Sequence, residues 1–241
     1  MRIIVEENFE RYSERAASLV ISETLKDKKV NLSLTSGNSP VGAYKYVIEY
    51  FKNNKELVKN IDFFNFDSAY NDGATEQEAG QGMTDFIFGP AGIDPKRVHT
   101  ITEDNYQNYD EMIAECGGLD LMLIGLGGDG HFCANMPHST NFLDQTYKVE
   151  YNKAYAWYDF LIDFYEGEEN IPQHMYTMGT LSVMKVKHLV MIANGKSKAP
   201  VVRKLLTTDI TNEFPSSVLK LHPNLTIILD KEAASESLDL I

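Results

Sequence analysis

The chain of 241 residues has 22 Lys and Arg against 35 Asp and Glu, which gives a formal net charge of -13. This acidic balance argues against general binding to nucleic acid or to an anionic membrane, since both favour a basic surface. Hydrophobic residues make up 43% of the chain, enough for the core of one large domain. Because no linker or internal repeat is visible, we expect residues 1–241 to form a single domain.

The two cysteines, Cys116 and Cys133, lack the spacing of a metal-ligand set and are typical of a reduced cytosolic protein. The amino-terminal residues do not resemble a secretory signal, and no apolar run is long enough to cross a bilayer. We therefore expect a cytoplasmic protein.

The first half of the chain alternates short apolar runs, typical of strands, with segments of helical periodicity. Strands are predicted at residues 2–5, 30–34, 61–66 and 119–124, with helices between them at residues 9–20, 41–51 and 105–114. This order predicts an α/β fold with a mainly parallel sheet and helices on both faces. The polar and glycine-rich residues 71–82 are expected to form a mobile surface loop.

The second half is less regular. Residues 138–175 concentrate aromatic and acidic side chains, which favours a lid over a pocket, a surface insertion or a subunit contact. Residues 176–180 are predicted to open a helix. After them, strands are predicted at residues 188–193 and 225–229, with a helix at residues 201–206.

The buried strand predicted at residues 119–124 runs directly into a turn with four glycines, in which Asp129 and His131 are embedded. Glycines allow a positive φ and a close approach of a ligand to the main chain. An acid and an imidazole at the carboxyl end of such a strand lie where open α/β sheets bind ligands. The alternative is that both side chains only cap a turn.

Two further segments follow predicted strands and have features of an anion-binding site. In the first, a polar loop leads into a helix for which Ser39 is the expected N-cap and Pro40 the first residue. Free N–H groups and the helix dipole make such a loop a phosphate site, although ordinary capping explains it too. Lys198, which follows the strand at 188–193, is a second candidate phosphate contact. The candidate loop residues are Ser36, Gly37, Asn38 and Ser39.

Asp67 follows the strand predicted at residues 61–66. A carboxylate at the end of a strand can act as a general base, and it can equally cap the next segment.

Taken together, residues 34–40, 65–67, 125–131, 195–199 and 219–223 resemble, in order, the motifs of the glucosamine/galactosamine-6-phosphate isomerase family. That family includes glucosamine-6-phosphate deaminases and, more distantly, 6-phosphogluconolactonases. The most specific motif is the Asp-Gly-His turn with the trailing Asn135 and Pro137. The resemblance covers nearly the whole chain and implies a modified Rossmann-like fold that needs no cofactor, nucleotide or metal.

The resemblance implies an amino-sugar 6-phosphate isomerase that releases ammonia, for example from glucosamine 6-phosphate, to give fructose 6-phosphate. It implies that Asp67 moves a proton between C2 and C1, and that Asp129 and His131 open the sugar ring. The 6-phosphate would be held by Ser36, Gly37, Asn38, Ser39 and Lys198. The expected partner is therefore a small sugar phosphate, and a homo-oligomer remains open.

Three departures from the family pattern keep alternatives open. Deaminases carry Glu at the position of Met136 and usually at that of Ser68, and their phosphate-binding Arg is missing from residues 150–175. One alternative is a lactonase in which His131 acts as base on water. The other is a protein that binds sugar phosphates without catalysis.

Overall fold

The computed structural model describes residues 1–241 and contains ten strands. They are β1 (Arg2–Glu6), β2 (Val30–Ser33), β3 (Ile61–Phe64), β4 (Asp67–Tyr70), β5 (Val98–His99), β6 (Leu121–Gly125), β7 (Tyr147–Lys148), β8 (His174–Thr177), β9 (Leu189–Ala193) and β10 (Leu225–Asp230). Seven of them form one sheet in the order β1-β10-β9-β6-β2-β3-β5, and all neighbours in it run parallel. The predicted parallel sheet is thus confirmed.

Helices cover both faces of this sheet. They are α1 (Phe9–Glu23), α2 (Val41–Asn53), α3 (Lys55–Val58), α4 (Glu76–Ala79), α5 (Gln81–Met83), α6 (Gly89–Ala91), α7 (Tyr109–Glu115), α8 (Ala156–Phe164), α9 (Thr180–Met184), α10 (Ala199–Thr207) and α11 (Lys231–Ala234). None of these helices has both the length and the apolar character that crossing a membrane requires.

The central strand β6 shows why both faces are needed. Leu121 and Leu123 pack into the core beneath α1 and α2, whereas Met122 and Ile124 pack into the core beneath α7, α9 and α10. All four side chains are fully buried. A strand buried on both faces reads as a continuous apolar run, as this sequence does.

The other three strands form a small antiparallel sheet in the order β4-β8-β7. Its register pairs Asp67 with Thr177 and Tyr70 with His174. A third apolar cluster, which includes Met136, Trp157 and Leu161, lies between this sheet and α8. The prediction that residues 176–180 open a helix is therefore wrong at its start, because residues up to Thr177 belong to β8.

Other boundaries also differ from prediction, since α7 begins at Tyr109 and not at residue 105. The strand predicted at 61–66 ends at Phe64, because the Tyr109 hydroxyl donates to the Asn65 carbonyl (2.9 Å) and the chain turns into β4. Residues 71–82 do not form one loop, because α4 begins there with a capping box in which Thr75 and Glu78 bond each other's backbone N–H.

At the amino ends of the strands, the carboxylate of Asp120 holds β2 and β6 together. One carboxylate oxygen accepts from the Asn31 backbone N–H (3.0 Å), and the other from the ammonium groups of Lys28 (2.5 Å) and Lys187 (2.9 Å). Burial alone would raise the pKa of Asp120, but these donors outweigh it and hold the pKa below its ordinary value.

We expect Asp120→Asn to lower the free energy of unfolding by about 1–2 kcal/mol at pH 7, because charged hydrogen bonds are lost. Since the folded-state pKa is lowered, this stabilisation is complete above the ordinary carboxyl pKa of about 3.9 and is lost as the pH falls through the folded-state pKa. Urea denaturation of both proteins at pH 7 and pH 3 measures the difference. An equal stability at pH 7 would contradict the prediction.

Candidate active site

A cavity of about 360 Å³ opens between the carboxyl ends of the parallel strands, the small sheet and α8. Its lining includes the loop at residues 35–39, the glycine turn after β6, and the side chains of Asp67, His131 and Lys198. The structure thus brings together every predicted site residue except Asp129, which lies behind His131 and does not line the cavity. The carboxyl ends of parallel strands meet at this edge, as expected for an open α/β sheet.

His131 is fixed by Asp129 from two directions. The Asp129 Oδ1 lies 2.6 Å from the imidazole Nδ1 and accepts from the His131 backbone N–H at 3.0 Å. A Cβ on Gly127 would lie 2.4 Å from Nδ1, so only glycine leaves room for the ring. Burial would raise the pKa of Asp129, but the hydrogen bonds and charge of His131 outweigh it and lower the pKa. The pair therefore keeps an ionised carboxylate against the imidazole.

Asp67 begins β4 and directs a carboxyl group into the same cavity. Removal from bulk water raises its pKa to about 7, and the positive charge of His131 only partly opposes this rise. A carboxyl group with this pKa can both accept and return a proton near neutral pH.

The loop after β2 presents backbone donors. Gly37 has φ +89, and the N–H groups of residues 36–39 donate to no protein acceptor. Two buried tyrosines hold the loop by hydrogen bonds to its carbonyl groups. The Tyr44 hydroxyl donates to the Thr35 carbonyl (2.6 Å) and the Tyr12 hydroxyl to the Ser39 carbonyl (3.2 Å).

Helix α2 begins at Val41, but its N-cap is Pro40 and not Ser39 as expected, and no side chain caps it. The backbone N–H groups of Gly42 and Ala43 also have no protein acceptor. Together with the loop they leave a set of unpartnered N–H donors at a helix N-terminus, an arrangement that favours an anion.

Lys198 ends a 3-10 turn (Lys196–Lys198) beside this loop. Its ammonium group donates to the Leu126 carbonyl at 2.5 Å, and burial lowers its pKa while Asp129 opposes that effect. The turn is anchored because the Gly195 N–H lies 3.0 Å from both carboxylate oxygens of Asp230.

The opposite wall of the cavity is apolar, and apart from the lid interpretation of residues 138–175 the sequence did not assign its residues to a pocket. It is formed by Ala69, Cys133, Ala134, Met136, Phe160, Leu161, Phe164, Tyr165 and Met175. The lid interpretation of residues 138–175 agrees with this arrangement, since α8 covers the cavity and the Phe160 ring centroid lies 5.8 Å from that of His131. The sequence signal for helix α8 was the spacing of four and three residues between Trp157, Leu161 and Phe164.

The residues at the departures from the family pattern border the cavity but contact other protein groups. Met136 is buried in the apolar cluster beside Trp157, and the Ser68 hydroxyl donates to the Ile101 carbonyl at 2.5 Å. Glu168, on the lid, pairs with Lys153. Among the residues that line the cavity, Asp67 is the sole carboxylate.

The sequence pattern of the family described as glucosamine-6-phosphate isomerases/6-phosphogluconolactonase matches residues 6–227. Because the match spans most of the chain, the protein belongs to this family. Glucosamine-6-phosphate deaminases of Shouchella clausii and Thermoanaerobacter pseudethanolicus are 32% and 33% identical to it. These alignments cover 98% of this chain and 97% and 94% of the relatives.

Solved structures agree with this assignment. A monomeric glucosamine-6-phosphate deaminase superposes with a TM-score of 0.83 at 28% identity, over 98% of this chain and all of that one (100%). A 6-phosphogluconolactonase from Trypanosoma cruzi shares the fold, with a TM-score of 0.73 at 17% identity over 98% of this chain and 97% of its own.

We expect Asp67→Asn to stabilise the fold at pH 8, because an Asp whose folded-state pKa is raised to about 7 penalises the folded state once it is charged. The gain should be about 2 kcal/mol, since each pKa unit corresponds to about 1.4 kcal/mol and cavity water screens part of it. The gain should vanish near pH 3, where the carboxyl is neutral in both states. Thermal or urea unfolding measures it.

The matched control is Asp209→Asn, which removes an exposed carboxylate and should not change stability at either pH. An Asp67→Asn protein that is no more stable than the wild type at pH 8 would show that Asp67 is not desolvated.

Proposed function

We propose that the protein is an amino-sugar 6-phosphate isomerase/deaminase that converts glucosamine 6-phosphate and water to fructose 6-phosphate and ammonia. One observation carries the proposal: a carboxyl group with a pKa of about 7, an imidazole held by a carboxylate and a cluster of unpartnered N–H donors face one cavity. The relatives that are about 30% identical over the whole chain carry the name of this activity. A cytoplasmic location belongs to the same proposal.

In this proposal the 6-phosphate is held by backbone and side-chain donors at one end of the cavity. The N–H groups of residues 36–39 and the start of α2 supply hydrogen bonds, and Lys198 supplies a positive charge. The residues assigned to this subsite are Ser36, Gly37, Asn38, Ser39 and Lys198.

Ring opening is assigned to His131 and Asp129. Because Asp129 accepts the hydrogen bond from Nδ1, the Nε2 of His131 carries the lone pair and can take the proton of the C1 hydroxyl. The imidazole then returns this proton to the ring oxygen as the C1–O5 bond breaks. Asp129 orients the ring and stabilises its transient positive charge.

Isomerisation is assigned to Asp67. The carboxylate removes the C2 proton while the electron pair of the C1 carbonyl moves to oxygen, and it then returns the proton to C1. The C2 ammonium of the substrate passes one proton to the C1 oxygen, so that protonation of C1 leaves an iminium at C2. This iminium takes up water and expels ammonia to leave the ketose. The carbonyl is its own electron sink, so the chemistry assigned to these side chains calls on no cofactor.

We expect Asp67→Asn to lower kcat for glucosamine 6-phosphate by about 10²–10⁴-fold, the contribution of a general base. In the wild type, kcat/KM should rise with pH through about 7, because Asp67 must be ionised. A coupled assay that scores ammonia and fructose 6-phosphate separately measures both, and Asp209→Asn should keep wild-type activity.

The same assay decides between the alternatives. A panel of 2-amino and 2-hydroxy hexose 6-phosphates includes the galactosamine isomer, and 6-phosphogluconolactone is added as a separate substrate. Hydrolysis of the lactone without ammonia release would favour the lactonase hypothesis. Thermal stabilisation by the sugar phosphates without turnover of any of them would favour a binding protein.

We expect Lys198→Met to raise KM about tenfold or more, because the variant removes a half-buried charge from the phosphate subsite. The matched control is Lys196→Met, two residues earlier in the same turn, whose side chain is exposed and does not line the cavity. Steady-state kinetics of both variants test the assignment. Equal KM values for the two variants would place the phosphate elsewhere.

A further inference from the structure

The hydroxyl of Tyr165 is a polar group in the apolar wall that the proposed mechanism does not use. Tyr165 lines the cavity, and its hydroxyl has no hydrogen-bond partner in the protein. Two neighbouring tyrosines of the lid differ from it. The Tyr151 hydroxyl donates to the Pro172 carbonyl at 2.7 Å, and the Tyr158 hydroxyl bonds Glu168 at 3.2 Å.

The backbone holds Tyr165 in place at the end of α8. Its N–H donates to the Leu161 carbonyl (2.9 Å), and its own carbonyl accepts from the Asn170 side chain (3.1 Å). Its ring packs edge-on against Phe164 with centroids 5.0 Å apart. The lid therefore positions this residue rigidly.

The surroundings keep the phenol protonated. Burial, and next the negative charge of Asp67, raise the pKa of Tyr165 above its ordinary value. Tyr165 and Asp67 both line this cavity. The other side chains of this wall are apolar apart from the Cys133 thiol, a weak donor, and the hydroxyl of the neighbouring Ser68 already donates to the Ile101 carbonyl. Tyr165 is thus the O–H donor that this wall offers to a ligand.

We infer that Tyr165 is a substrate-contacting residue whose hydroxyl donates a hydrogen bond to the C1 oxygen during isomerisation. The inference rests on the proposed function. When Asp67 takes the C2 proton, the C–H electron pair forms a C1–C2 double bond and the carbonyl pair moves to the C1 oxygen. The negative charge that develops there needs a donor, and in an apolar wall such a donor is worth more than in water. Tyr165 keeps its proton throughout.

The test is Tyr165→Phe, which removes only the hydroxyl. Because that hydroxyl has no protein partner, the variant should fold with unchanged stability. We expect kcat for glucosamine 6-phosphate to fall about 10- to 100-fold with little change in KM, the effect of losing a hydrogen bond to a charged transition state. The control is Tyr155→Phe, on the same lid but outside the cavity lining, which should match the wild type.

A second measurement keeps the two proposals apart. An open-chain hydroxamate of a five-carbon sugar 5-phosphate imitates the enediolate in its ionised form, and calorimetry gives its affinity. Tyr165→Phe should bind it about tenfold or more weakly than the wild type, while binding inorganic phosphate equally. Equal kcat or equal hydroxamate affinity would overturn the inference. An inactive wild type whose hydroxamate binding still depends on Tyr165 would overturn the proposed function alone.

Discussion

The pairing of β4 with β8 is the constraint on which the candidate site depends. It places Asp67 opposite Thr177, and the Thr177 hydroxyl oxygen accepts from the Ala134 N–H at 3.0 Å. The next residue along, Asn135, donates through its side chain to the Met178 carbonyl at 2.8 Å. A single buried strand therefore fixes both the base and the segment that follows the His131 turn. Neither group could move relative to the other without breaking buried hydrogen bonds.

An acidic protein can hold an anionic substrate if the charges and donors at the binding site differ from those of the whole surface. The net charge of -13 belongs to the whole surface, whereas the proposed phosphate subsite is built from local N–H donors and Lys198. Burial lowers the pKa of Lys198 and raises that of Asp67, so both groups are partly withdrawn from bulk water. In these surroundings even a small number of charges interacts strongly, because they are screened less than in bulk water. Global charge and local recognition are thus separate properties of the fold.

The sequence predicts those parts of the site that follow from local pattern and a topological rule. Residues 36–39, Asp67, His131 and Lys198 each follow a strand of a parallel sheet, and the carboxyl ends of such strands meet at one edge. The pairing of β4 with β8 joins segments far apart in sequence, and nothing local specifies it. The lid was one of three interpretations of residues 138–175, and the sequence could not decide among them, since the apolar spacing of α8 is the same whether a helix covers a core or a cavity.

The position of Met136 links the lid to the chemistry. Met136 is 4% exposed and packs in one cluster with Trp157 and Leu161 beneath α8. A carboxylate at that position would have to be buried against apolar side chains, where it is costly unless it gains a partner. The apolar lid therefore suits a methionine at this position. Replacing Met136 by a charged residue would destabilise the packing beneath α8. In the proposed mechanism, acid–base chemistry falls to Asp67 and to the Asp129–His131 pair, and the apolar lid lies over the cavity that Asp67 and His131 line.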